Sequence, residues 1–166
     1  MIFPRSGSAG MPDLSCGKIG MSLFTAMGLR RVARECALQM LYEYDIGKQP
    51  PEEIMETFWD MNEHPKKVRE FANQLFDGTV GRLKEIDKMI QQHTKNWRLN
   101  RMAAVDRNIL RLAAFELLSD CKTPGTVVIN EALEIAKKYS THESAQFVNG
   151  ILDSVKNDLT PKEAKE

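Results

Sequence analysis

From Leu29 to about residue 160, apolar residues recur at three- and four-residue intervals, and no stretch alternates apolar with polar as a half-buried strand would. Residues 30–44 place Ala33, Ala37, Met40, Leu41 and Tyr44 on one stripe, which ends before Gly47 and Pro50-Pro51. Pro51 suits the first turn of a second helix carrying Ile54, Met55, Phe58 and Trp59. Pro65 opens a third, on which Val68, Phe71, Ala72, Leu75, Phe76, Thr79 and Val80 keep a strict helical repeat, with Gly78 and Gly81 predicting a bend or a close approach near its end. Leu83, Ile86, Asp87 and Ile90 continue the period toward His93, and a connection through Trp97 leads to residues 103–118. The Thr-Pro-Gly at 123–125 breaks the chain. Beyond it, residues 127–139 carry Val128, Ala132, Ile135, Ala136 and Tyr139 on one face. A polar turn at 140–144 supplies N-cap candidates for a last helix, which bears Phe147, Val148, Ile151, Leu152, Val155 and Leu159 and stops at Pro161. The pattern predicts an all-α protein of about seven helices in two small packed bundles, residues 29–81 and 82–160, with a short tail at 161–166.

The stretch 103–118 (AAVDRNILRLAAFELL) is the centre of this arrangement, because its apolar residues cover most of a helical wheel and such a helix is buried on several sides. Its polar exceptions are Asp106, Arg107, Asn108, Arg111 and Glu116. The ordinary reading of that narrow window is a solvated edge, since charged side chains normally face water. The alternative is that Asp106 and Arg111 face a partner. Glu116 and Glu131 read as partners of semi-buried basic groups such as Arg107. Gly150, inside the last helix, predicts a contact point where a neighbouring helix packs close, with Asn149 bonding to a nearby turn.

Composition narrows the function classes. Of 166 residues, 42% are hydrophobic and 28% charged, ordinary for a globular chain. Lys plus Arg equals Asp plus Glu at 23 each, so no global basic field exists and any nucleic-acid binding must use a local patch. Cys16, Cys36 and Cys121 are odd in number and lack a CxxC, which argues against a disulfide framework or structural zinc and fits a reducing, cytoplasmic compartment; Cys36 and Cys121 read as small core residues. No apolar run approaches the roughly 20 residues needed to span a bilayer. Residues 1–28 are rich in Gly, Ser and Pro at their start and predict a disordered extension. The apolar part after Lys18 is too short for a signal peptide and lacks a cleavage site, and Met21 and Met27 are alternative natural starts.

No Gly-rich phosphate loop, GxSxG or HExxH is present, and His64, His93 and His142 are scattered near element ends as solvated or capping residues. The expectation is a protein that is not an enzyme and needs neither cofactor nor metal. One cluster does point to recognition. Arg30, Arg31 and Arg34 fall within about a quarter of the wheel at roughly 100° per residue, and their guanidinium forks suit successive phosphates. At a helix start they would oppose the macrodipole, with Glu35 compensating in part. A solvated basic face is the plainer alternative. Leu38 and Tyr42 continue beside the arginines and outside the core stripe, and an aromatic next to arginines suits unstacked RNA bases better than duplex DNA.

Residues 30–42 (RRVARECALQMLY), 105–117 (VDRNILRLAAFEL), 128–137 (VINEALEIAK) and 147–153 (FVNGILD) resemble, in this order, the bacterial NusB family of transcription antitermination factors. The likeness spans residues 29–159 and leaves the segment before Met27 outside. It implies an all-helical fold that binds the boxA element of ribosomal RNA leader transcripts together with NusE, a small-subunit ribosomal protein, within the complex that makes RNA polymerase resist termination. It implies that Arg30, Arg31 and Arg34 contact RNA, that Arg111, Glu143, Gln146 and Phe147 lie at or near the RNA surface, and that Leu38, Tyr42 and Asp106 face the protein partner. Related domains occur fused to ribosomal RNA cytosine methyltransferases, but this chain ends shortly after the domain and resembles the stand-alone factor. Two departures matter. Gln146 stands where relatives often carry Lys before the Phe of FVNG, and Val32 interrupts the arginine run. Both predict weak RNA binding by the chain alone, with the partner complex needed for tight binding. The alternatives are a helical adaptor or homodimer with no direct RNA role, and an accessory domain for a methyltransferase.

Overall fold

The computed structural model describes residues 23–119 and 123–160, with residues 23–27 described by their backbone course alone. The extension before residue 23, the tail 161–166, Cys16 and Cys121 lie outside the described residues. Within them are seven α-helices, one short 3-10 turn and no strand. The chain divides after Gly81 into two compact units.

The first unit holds α1 (Leu23–Gly47), α2 (Pro51–Met61) and α3 (Lys66–Gly81), with α1 lying along α3 and α2 touching both. Helix α1 begins earlier than its stripe implies: residues 23–28, expected to lack regular structure, form its first turns. The reason is cooperative. Once the packed part from Ala33 onward exists, each added residue gains a backbone bond without a new nucleation cost. Helix α2 starts on Pro51, whose missing N–H is no loss at that position, and buries Ile54 and Phe58. Helix α3 buries Val68, Ala72, Leu75, Phe76 and Thr79. The Thr79 hydroxyl donates to the Leu75 carbonyl at 2.6 Å, so its polar atom is satisfied inside the fold. Trp59 on α2 donates its indole N–H to Asn73 on α3 at 2.7 Å, and the rings of Tyr44 and Phe76 meet edge-on between α1 and α3.

The stripe on α1 is wider than spacing implied. Every residue from Ala33 to Leu38 is buried, including Arg34, Glu35 and Cys36. Leu38, expected outside the core stripe, is fully buried, and Tyr42 is half-buried. Burial, with Glu35 beside it, pushes the Cys36 thiol up to about 12. It is therefore protonated at neutral pH and packs as a small apolar group.

The second unit holds α4 (Leu83–Gln92), a 3-10 turn (Leu99–Arg101), α5 (Ala104–Leu118), α6 (Gly125–Tyr139) and α7 (His142–Leu159). Helix α5 is packed against α4, α6 and α7. Val105, Ile109, Leu110, Leu112, Ala113, Ala114 and Phe115 are buried along it, and so are Asp106, Asn108, Arg111 and Glu116. The polar window is thus an interior feature, not a solvated edge. Thr141 caps α7 by accepting a bond from the Ser144 backbone N–H at 3.0 Å. His93, expected to be solvated or capping, ends α4 but also reaches α7: its Nδ1 lies 2.7 Å from the Ser154 hydroxyl and its Nε2 3.1 Å from Asp158.

Gly150 is not a close-packing point. A methyl group built there would meet nothing within 4 Å, and the residue is exposed. Its lack of a side chain therefore weakens α7 without relieving any contact. Gly150→Ala is expected to raise unfolding free energy by about 0.5–1 kcal/mol, read as a higher urea midpoint at unchanged slope. A lower midpoint would mean that a neighbour does crowd this position.

Candidate nucleic-acid interface

The arginine cluster sits well inside α1 rather than at its start, so the opposing helix dipole, which fades within the first turn, no longer penalises it. Arg30 is exposed, Arg31 half-exposed and Arg34 only 4% exposed. Arg30 and Arg34 are one turn apart, and both guanidinium groups lie over the ring of Phe71 on α3, at 5.2 and 5.5 Å from its centroid. Phe71 is half-buried, and its ring is within cation–π range of both side chains. Spacing placed Phe71 on the core stripe; that two arginines converge on it is a tertiary fact.

In the second unit, Arg111 is 7% exposed and forms a two-pronged ion pair with Asp87 of α4, Nε to Oδ1 at 2.7 Å and Nη2 to Oδ2 at 2.8 Å. Its Nη1 also donates to Asn108 at 3.2 Å. Asp106 accepts from the hydroxyl groups of Ser140 at 2.6 Å and Ser144 at 2.9 Å, which ties the start of α5 to the α6–α7 turn. Each thus has internal partners that account for its burial without an external one. Glu116 and Glu131 are buried as well.

Beside this framework lies an open pocket of about 360 Å3, lined by Trp97, Phe147, Met102 and Ala103 together with Arg101, Asp106, Glu143 and Ser144. The two aromatic rings are 6.4 Å apart and nearly perpendicular. Glu143 and Gln146 are exposed and Phe147 is half-exposed, all on the first turns of α7. Trp97, read from sequence only as part of a connection, is 58% exposed. Among the described residues no group of three or more His, Cys, Asp or Glu side chains could hold a metal ion. Nor is any helix there long and apolar enough to cross a membrane.

Arginines gathered on one aromatic ring, and an aromatic pocket with Arg101 in its lining, give this all-helical protein groups whose chemistry suits phosphates and planar bases. The chain belongs to the NusB family, whose sequence model matches residues 31–157. It is 50% identical over 140 residues to the transcription antitermination protein NusB of Koribacter versatilis (strain Ellin345), covering 84% of this chain and 96% of that protein. Its fold matches T. maritima NusB with a TM-score of 0.73 at 38% identity, over 80% of this chain and 94% of the other. It also matches, with a TM-score of 0.73 at 30% identity over 80% of this chain and 98% of the other, a chain from the crystal structure of antitermination factors NusB and NusE in complex with dsRNA.

The Asp87–Arg111 pair yields a direct test. Asp87→Ala leaves a guanidinium buried without its carboxylate and is expected to destabilise the fold by about 2–4 kcal/mol, the Asp87 side chain being 30% exposed. Asp87→Ala combined with Arg111→Met should recover part of that loss, because no charge then remains to be solvated. Urea denaturation of the three proteins decides it, and a single variant within about 0.5 kcal/mol of the parent would show the pair to be dispensable.

Proposed function

We propose that this chain is an RNA-binding transcription antitermination factor that engages boxA RNA of ribosomal RNA leader transcripts jointly with NusE, as part of the RNA polymerase antitermination complex. The observation that carries the reading is the 50% identity to an antitermination protein over nearly the whole of that relative. The solved complex of NusB and NusE with dsRNA, similar to this chain at 30% identity, supports both the RNA and the protein partner. On this reading the protein works in the cytoplasm, by binding alone, with no catalytic step and no cofactor.

The physical contributions divide among the named residues. Arg30 and Arg31 offer charge and donor forks to backbone phosphates, and Arg34, stacked with Arg30 on Phe71, supports them from a buried position. Glu143, Gln146 and Phe147 present polar and aromatic groups from the start of α7, with Arg111 bracing α5 against α4 through Asp87 rather than reaching out. On the side of the protein partner, Tyr42 offers half-exposed aromatic surface, Asp106 acts through its serine bonds at the α7 start, and Leu38, one turn before Tyr42 and fully buried, contributes as core of α1 rather than by contact. Because the chain has no net charge, affinity must come from these local groups, and a partner that adds surface is needed for tight binding.

The test is fluorescence anisotropy with labelled boxA RNA and a scrambled control, with and without NusE, across a salt series. Tight, boxA-selective binding is expected only with NusE. Arg30→Ala/Arg31→Ala should weaken it and reduce the log–log salt slope by about 0.7 for each phosphate no longer neutralised. Equal affinity for boxA and scrambled RNA would reject the reading. A homodimer by light scattering whose protein interactions survive nuclease would favour the adaptor instead.

A further inference from the structure

The connection between α4 and α5 carries a solvent-facing tryptophan on an unusually well-fixed backbone. Gln91 Nε2 donates to the Thr94 hydroxyl at 2.9 Å and to the Trp97 carbonyl at 3.0 Å, while its Oε1 accepts from the Leu99 N–H at 3.0 Å. From the other side, Arg107 Nη1 donates to the carbonyls of Leu99 at 3.3 Å and Met102 at 3.1 Å. Two side chains thus clamp the segment from both ends. An indole 58% exposed on a clamped segment is held in position for something, since a mobile loop would let it fold down onto apolar surface.

The surroundings say what that is. Lys95, Arg98 and Arg101 lie on the same connection, all exposed, and none forms an ion pair among the described residues. Phe147 and Trp97 meet edge to face with centroids 6.4 Å apart, and both rings line the pocket, the indole 58% exposed. At about 360 Å3 the space is at the lower end of the roughly 300–1,000 Å3 of small-ligand sites, ample for one planar heterocycle. Glu143, exposed and in the pocket lining, brings a carboxylate that can accept from an exocyclic amino group or ring N–H. Asp106, at the same pocket, already takes bonds from Ser140 and Ser144 and is less available.

We propose that the Trp97 pocket is a subsite for a single unstacked nucleobase of an RNA strand, stacked on the indole with its amino-bearing edge toward Glu143 and its flanking phosphates against Lys95, Arg98 and Arg101. Aromatic stacking with cations tracking the backbone is how single strands are held, and an unpaired base exposes the edge that a carboxylate reads. A protein segment is disfavoured because three exposed cations on one short connection match a polyanion. The proposal rests on the RNA-binding reading above and adds Trp97, Lys95, Arg98 and Arg101 to the contact surface.

The experiment uses the full chain with NusE and labelled single-stranded boxA RNA, in a Trp59→Phe background so that Trp97 is the only tryptophan of this chain. Saturating RNA should quench and shift Trp97 emission, while the same RNA annealed to its complement should not. Trp97→Ala should weaken single-strand binding about tenfold with the salt slope unchanged, Trp97→Phe should restore most of it, and Arg101→Ala should lower the slope by about 0.7. A thermal midpoint matching the parent's confirms that Trp97→Ala is folded. If RNA binds but Trp97 emission is unmoved, or Trp97→Ala binds as the parent does, the subsite is rejected while the antitermination reading stands. If Trp97→Ala weakens capture of NusE and leaves RNA affinity intact, the pocket is a protein-docking site and the proposal fails. If the parent complex binds no RNA, both readings fall.

Discussion

Helix α5 is enclosed by α4, α6 and α7, and that enclosure sets the terms for the rest of its unit. A helix in this position has no water to satisfy its polar side chains, yet α5 carries Asp106, Asn108, Arg111 and Glu116 in its interior. Each such group must find a partner, or the fold loses the desolvation free energy of an unpaired polar atom. Arg111 finds Asp87, Asp106 finds Ser140 and Ser144, and Asn108 donates back to the Ala104 carbonyl at 2.8 Å. Buried pairs of this kind add little net stability against well-packed apolar residues, but they are unforgiving of substitution. Apolar burial stabilises the unit. These bonds determine which faces of α4 and α7 meet α5.

The same bonds also set the geometry of the connections on either side of α5. Asp106 fixes the turn from which α7 begins, so it sets where Glu143, Gln146 and Phe147 emerge. Arg107, on the next position of α5, holds the Leu99 and Met102 carbonyls of the α4–α5 connection, and Gln91 of α4 holds the carbonyl of Trp97. Under the proposed RNA-binding reading, these groups stand on backbone already held by side-chain hydrogen bonds, which lowers the ordering entropy to be met on binding. In the first unit the arrangement differs in detail but not in kind. There the Phe71 ring on α3 draws Arg30 and Arg34 of α1 to one place by cation–π attraction.

The helices were legible from spacing because burial on one side imposes a 3.6-residue repeat, and Pro50-Pro51, Pro65, the Thr-Pro-Gly break and Pro161 punctuate it plainly. The start of α1 was less so, since residues before the packed region form helix by extension rather than by pattern. Gly150 misled for a related reason: a helical glycine usually marks close packing, and only the empty space around it shows that here it does not. The arginines were visible as a cluster, whereas Phe71 looked like one more core position and Trp97 like a loop residue.

What the sequence determined by itself is the all-helical class, the positions of most helix boundaries, the central place of α5 and the family, all of which depend on order and spacing along one chain. What only the tertiary structure decided is which polar groups are interior and what each of them holds. Arg111 meets Asp87 from 24 positions away, and Asp106 meets Ser140 and Ser144 from 34 and 38. The wheel of a single helix carries no information about partners at such distances. It can say that a charge lies off the apolar stripe, but whether water or another side chain covers that charge is settled only when the helices pack.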